Sequence, residues 1–187
     1  MAHPFLHFKT ITKHKFLVMG QCFKVGLIWQ GLAHDMSKYS PTEFIPGAKY
    51  YMGTSSPCNE ERRLTMQSKA WMHHKGRNKH HFEYWIDWNP DTNEGPGHKW
   101  ELVGTKMPTR YVVEMYCDRV AASKNYMGKS YNQTKPLEYY NGGPTRRWLH
   151  PESADLIELL LNMLADKGEK ETNRYIRKNI LKGNRYK

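Results

Sequence analysis

Apolar residues recur at helical spacing through most of the chain, and strand-like alternation is rare. From about Thr10 to Leu27, Ile11, Phe16, Leu17, Met19, Phe23 and Leu27 fall on helical spacings with lysines between them, which predicts an amphipathic helix. A second, short helix is expected over "IWQGLAHDMSK", stopping at "YSP" because a residue ahead of proline is pushed out of the helical region. Ser56 and Pro57, with Glu60 and Glu61 behind them, have the chemistry of a helix start. That helix is expected to run to about His74 and end at Gly76. "DWNPDTNEGPGHKW" reads as loop with short strand pieces, after which Pro108 opens a helix whose buried stripe is Val112, Met115, Tyr116 and Ala122. Lys124 to Leu149 reads as an ordered surface excursion. Two helices, "PESADLIELLLNMLADKG" and "ETNRYIRKNILK", then lead to a frayed basic end, "KGNRYK". The expectation is an all-α helical bundle with long surface loops, one domain over residues 1–187.

A chain of 187 residues can bury a core without disulfide or metal staples. It has no run of about eighteen apolar residues and no signal-like start, so a soluble protein that is not exported, with no membrane partner, is expected. Cys22, Cys58 and Cys117 are odd in number and far apart, which argues against a disulfide framework or thiolate zinc site and for reduced cytoplasm. Twenty-nine Lys and Arg against eighteen Asp and Glu give a formal charge of +11, which favours nucleotides, nucleic acid or another phosphorylated compound as partners.

Ten histidines are more than a chain of this size needs, and several fall beside carboxylates. His14 lies in the first helix, His34 and Asp35 end the second, His73, His74, His80 and His81 surround a helix end, and Asp118 sits within "EMYCDRVAAS". Cys117, Val120, Ala121 and Ala122 put Asp118 close to an apolar face, where an unpaired carboxylate is costly to bury. Glu114, one turn earlier, reads equally as a supporting partner or as solvated charge. A bundle that converged His14, His34, Asp35 and Asp118 makes a mixed imidazole and carboxylate site suited to Mn, Fe, Co, Ni, Zn or hydrated Mg. His3, His7 and His98 read as surface residues, and His150 as a cap at a helix start.

A helical His, an adjacent His-Asp pair and a distant helical Asp, in that order, resemble the HD-domain metal-dependent phosphohydrolase superfamily. More closely, the chain is similar to an HD-like family of bacteria and phages with the pattern HK, HDxSKxSPxEF, HHxxxNxHHxE and EMxCDxxAxS. The matching blocks are His14-Lys15, His34 to Phe44, His73 to Glu83 and Glu114 to Ser123. The resemblance implies an all-helical HD-like fold in the cytoplasm, that of the host if phage-encoded. It also implies a metal held by His14, His34, Asp35 and Asp118. His74, His80 and His81 imply either a second divalent metal with Asp35 bridging, or a cluster of imidazoles and Arg77 that binds phosphate.

On this reading a metal-activated water attacks a nucleotide or related small phosphate ester. Asp35 and Lys38 are the catalytic pair, and Lys38, Arg77 and Asn78 bind substrate. Tyr126, Tyr131, Tyr139, Tyr140 and Trp148, interleaved with basic residues, read as a lid over a nucleobase or as packing of the excursion. Two other readings compete: an HD-like di-iron oxygenase, and a basic nucleic-acid-binding protein whose metal is structural and whose affinity falls steeply with salt. A homodimer is the default assembly.

Overall fold

The computed structural model describes residues 2–89 and 100–182, and these are mostly helical. Helix α1 (Pro4–Val25) begins six residues before its expected start. Pro4 occupies its first turn, where the missing N–H costs nothing, and the left-handed Gly26 ends it at φ 95°. Its buried stripe is His7, Ile11, His14, Val18, Cys22 and Val25, while Phe16 and Phe23 are exposed. Apolar spacing alone missed this face because two of its positions carry imidazoles. His7 is accordingly buried and not a surface residue. It packs beside Phe44 and Tyr51, and a Cβ added at Gly47 would lie 2.3 Å from its Nε2.

Helix α2 (Ile28–Ala33) stops before the His-Asp pair, and a 3-10 turn, Met36–Tyr39, follows it. Helix α3 (Pro41–Lys49) begins directly after the stop at "YSP"; Ser40, Pro41 and Glu43 carry the same start signal recognised at Ser56. The single helix expected from Ser56 is two, α4 (Pro57–Thr65) and α5 (Lys69–Lys75). Met66 turns left-handed at φ 62°, and the Ser68 hydroxyl accepts from the Trp71 N–H to start the second helix.

A 3-10 turn, Phe82–Trp85, leads to strand β1 (Ile86–Trp88), which pairs antiparallel with β2 (Leu102–Gly104), Ile86 opposite Gly104. Helix α6 (Thr109–Met127) buries Val112, Met115 and Tyr116 as expected, but its stripe continues through Val120 and Ala121, leaving Ala122 half-buried. Most of the expected excursion is helical: the end of α6, then α7 (Lys135–Asn141) and α8 (Thr145–Trp148). Helix α9 (Pro151–Tyr175) is interrupted at Gly168, φ 79° and ψ 168°, which produces the two closing helices, and a π-helical turn, Ile176–Leu181, follows. His150 accepts from the Glu152 N–H at the start of α9. His98 and most of the basic end "KGNRYK" lie outside the described residues.

The apolar core forms where α1, α6 and α9 meet. Val18, Cys22 and Val25 of α1 join Val113, Tyr116, Cys117 and Val120 of α6 and Ile157, Leu160, Leu161 and Leu164 of α9. Each fully buried Leu or Ile contributes about 1.5–3 kcal/mol. The buried face of α1 turns polar towards its start, at His14 and His7, and α6 presents Glu114 and Asp118 one turn apart. One face of this helix pair therefore carries both the core and the candidate chemistry. No described helix is long and apolar enough to cross a membrane.

Candidate metal centre

The break between α2 and its 3-10 turn sets the centre. His34 has extended backbone, φ −50° and ψ 127°, and Asp35 is left-handed, φ 55° and ψ 23°. Asp is among the few side chains that accept this conformation, and such strain concentrates at functional sites. The Lys15 ammonium fastens the break by donating to the carbonyls of Leu32 at 2.8 Å and His34 at 2.9 Å.

Two donor sets meet at Asp35. One comprises His14, His34, Asp35 and Asp118; the other comprises Asp35, His74, His80 and His81. Within each set the donor atoms lie within 4.8 Å of one another. Asp35 Oδ2 faces His34 Nε2 at 3.3 Å and His14 Nε2 at 3.7 Å, while Oδ1 faces His74 Nε2 at 3.3 Å and His80 Nε2 at 3.6 Å. His14 Nε2 also lies 2.9 Å from Asp118 Oδ1.

The far sides of the rings fix which nitrogen faces inward. Glu114 Oε1 accepts from His34 Nδ1 at 2.9 Å and lies 3.3 Å from His80 Nδ1, and its Oε2 accepts from Gln30 Nε2 at 2.6 Å. Glu43 spans His73 Nδ1 at 2.6 Å and His74 Nδ1 at 2.7 Å. With Nδ1 turned to a carboxylate, Nε2 of His34, His74 and His80 is the nitrogen turned to Asp35, the position from which a metal ion would displace a proton. Nε2 of His34, His74, His80 and His81 and Asp35 Oδ1 are buried without a directed hydrogen bond, while Asp35 Oδ2 pairs with Lys38. Buried polar atoms rarely go unsatisfied, and five gathered on the two sides of Asp35 are what bound cations would satisfy.

Electrostatics agree with geometry. Burial would raise Asp35 and Asp118, but neighbouring His34 and Lys38 hold Asp35, and hydrogen bonds from His14 and His34 hold Asp118, well below the usual carboxylate range. Burial also opposes ionisation of Glu114, yet His34 and His80 bring it down to about 2. Asp35, Asp118, Glu114 and Glu43 thus carry negative charge into a largely buried space, and their ion pairs are to imidazoles and to Lys38, whose Nζ lies 2.6 Å from Asp35 Oδ2. Burial lowers His81, reinforced by the neighbouring His80 and His74, so its ring is a neutral donor.

A family model covers this region. The model of a family of unknown function, DUF5662, matches residues 3–163. The chain belongs to the DUF5662 family. No curated protein and no solved structure matches the chain. All the donors around Asp35 lie in the part of the chain that defines it as DUF5662.

The remaining residues singled out in the DUF5662 chain separate by position. His73 turns to Glu43, away from Asp35. The Asn78 amide donates to Ser37 Oγ at 2.9 Å and the His74 carbonyl at 2.8 Å, so it ties the α5 end to the turn after Asp35. Arg77 is exposed, bonded to the His73 carbonyl, and stands apart from the donor sets. Beside the centre, His7, Lys38, Glu43, Trp71, His74 and Tyr126 help line a cavity of about 80 Å³. Of the five aromatic lid candidates only Tyr126 lines this cavity. Tyr140 is buried against Glu158, Tyr131 bonds Glu169, and Tyr139 is exposed.

Sequence reasoning missed Glu43 and Lys15 as supports. The signal for Glu43 was present: it sits in the first turn of a helix begun by Ser40-Pro41. Because the imidazoles Glu43 bonds are those of α5 whereas Glu114 meets His34 and His80, their removal should differ. Glu43→Gln is expected to weaken one of two bound ions about 10–100-fold, leaving the other near its parental affinity. Glu114→Gln is expected to weaken both. Stepwise metal titration followed calorimetrically checks this, and equal loss of both ions in Glu43→Gln would contradict it.

His34 and His74 rise above the ordinary imidazole value: burial opposes this, but Asp35 and the hydrogen-bonding carboxylates outweigh it. Their protonated forms contribute stability below the unfolded value, and this is lost as pH rises through the raised folded values. A divalent ion competes with those protons, so its affinity should climb with pH. The thermal midpoint should gain more from added metal at about pH 8 than at about pH 6, measured at one metal concentration. A gain that shrinks as pH rises would contradict it.

Proposed function

We propose that this chain is a metal-dependent phosphohydrolase with two divalent ions, acting on a nucleotide or a related small phosphate ester. The observation that carries the reading is the pair of donor sets sharing Asp35, with five buried donor atoms that have no hydrogen-bond partner. The order of the motifs, which resembles the HD superfamily, supports it as well. His14, His34 and Asp118 would hold one ion and His74, His80 and His81 the other, with Asp35 common to both. Bound there, divalent ions lower the pKa of water towards neutrality and polarise a phosphoryl oxygen.

The chain's own residues supply the rest. Burial opposes the charge on Lys38, but Asp35 and Asp118 hold it above the ordinary lysine value, so it remains an ammonium at the edge of the centre and can balance phosphate charge that grows in the transition state. Glu114 and Glu43 hold Nδ1 of three imidazoles and so aim their Nε2 inward. Asn78 and Lys15 hold the segments that carry Asp35 and His74.

A screen of phosphate monoesters, nucleotides and phosphodiesters with Mn, Co and Mg, on untagged protein, tests the reading. Release of phosphate that is abolished by chelation and restored by metal is expected. Two irons per chain after anaerobic purification, with no hydrolysis under any metal, would overturn it in favour of the oxygenase reading, which the imidazole-rich donor set also accommodates.

A further inference from the structure

A cleft lies away from the metal centre, between the end of α1 and the last helical segment. It measures about 540 Å³ and is lined by Lys24, Glu169, Lys170, Asn173, Arg174, Arg177 and Lys178. Lys170, Arg174 and Lys178 repeat every four residues and therefore share a helical face about 12 Å long. Arg177 and Lys178 stand on the π-helical turn, a rare geometry that recurs at functional sites. Arg177 donates to the Lys24 carbonyl at 2.8 Å, which joins the two walls.

The cleft keeps most of its charge. Glu169, its one carboxylate, is held by Lys124 at 2.5 Å and by Gln21 at 2.8 Å from outside the cleft and lies 3.9 Å from Lys24 within it, which leaves Lys170, Arg177 and Lys178 with no carboxylate partner among the described residues. Glu171 offsets Arg174 alone. Beneath the cations, Asn173 is only 6% exposed and forms the polar floor of the wall. The family match ends at residue 163, so every cation here except Lys24 belongs to a segment outside it.

We infer that this cleft binds the phosphate backbone of double-stranded nucleic acid, independently of the metal centre. A cationic row of about 12 Å is long enough to reach neighbouring phosphates of one strand. No described residue lining the cleft is aromatic, so it offers no platform on which unpaired bases stack. Contacts confined to phosphates position a duplex without reading its sequence.

Binding of the untagged 187-residue chain to a short mixed-sequence DNA duplex, titrated at several salt concentrations with chelator present, tests this. Lys170→Gln/Arg177→Gln/Lys178→Gln is compared with Lys9→Gln/Lys13→Gln/Lys129→Gln, which removes the same charge from exposed positions elsewhere. The cleft variant should flatten the slope of log affinity against log salt by roughly 2.7, about 0.9 per lost phosphate contact, and the control variant should change it little. Lys170→Gln/Lys178→Gln leaves the Arg177 contact to α1 intact and should flatten it by roughly 1.8. Equal losses in cleft and control variants would assign the attraction to diffuse charge and overturn the inference. So would absence of duplex binding, tighter binding of the single strand, or displacement of the duplex by tripolyphosphate at matched phosphate concentration.

Discussion

Asp35→Ala is expected to abolish binding of both metal ions and, with them, any hydrolytic activity. Its two oxygens face different imidazoles, Oδ2 towards His34 and His14 and Oδ1 towards His74 and His80, so one substitution removes a donor and a negative charge from both sets. The loss should exceed the roughly 10–100-fold that follows removal of a supporting residue such as Glu114. Alanine at φ 55° is strained, so Asp35→Asn, whose side chain tolerates left-handed backbone, separates ligation from folding. Elemental analysis with circular dichroism checks both variants: folded protein without metal is expected, and a folded Asp35→Asn chain with its full metal content would refute the bridging role.

Lys38→Ala should do the opposite, keeping the metal and losing turnover. Its Nζ pairs with Asp35 and lies outside both donor sets. An ammonium that balances transition-state charge is worth about 10²–10³ in kcat by analogy with a removed oxyanion donor, with a smaller change in KM. Arg77→Ala is a natural comparison. The sequence placed Arg77 among the substrate ligands, but its guanidinium is exposed on the His73 carbonyl, so turnover close to the parental rate is expected. Parental turnover in fully metallated Lys38→Ala would remove Lys38 from the phosphate site.

The helical class was legible because apolar spacing survives wherever a helix packs on the core, as in α6 and α9. It failed where function interrupts packing. On α1 the buried face is set partly by His7 and His14, so a reading based on apolar residues chose a face that exposes Phe16 and Phe23. The helix expected through His34 is broken by the left-handed Asp35, and no propensity predicts a break whose purpose is to aim two side chains. The donors at Asp35 came from residue type and order; the supports did not. Glu114 reads on paper as either solvated charge or partner, and Glu43 reads only as a helix-start acid until α3 and α5 are packed together.

The most direct test of a two-metal centre bridged by Asp35 is native mass spectrometry of the untagged chain titrated with Mn, Co or Zn. Two ions per wild-type chain, and none in Asp35→Asn, is the predicted result. A wild-type chain that takes up no more than one ion with each of these metals, or an Asp35→Asn chain that still takes up two, would contradict it.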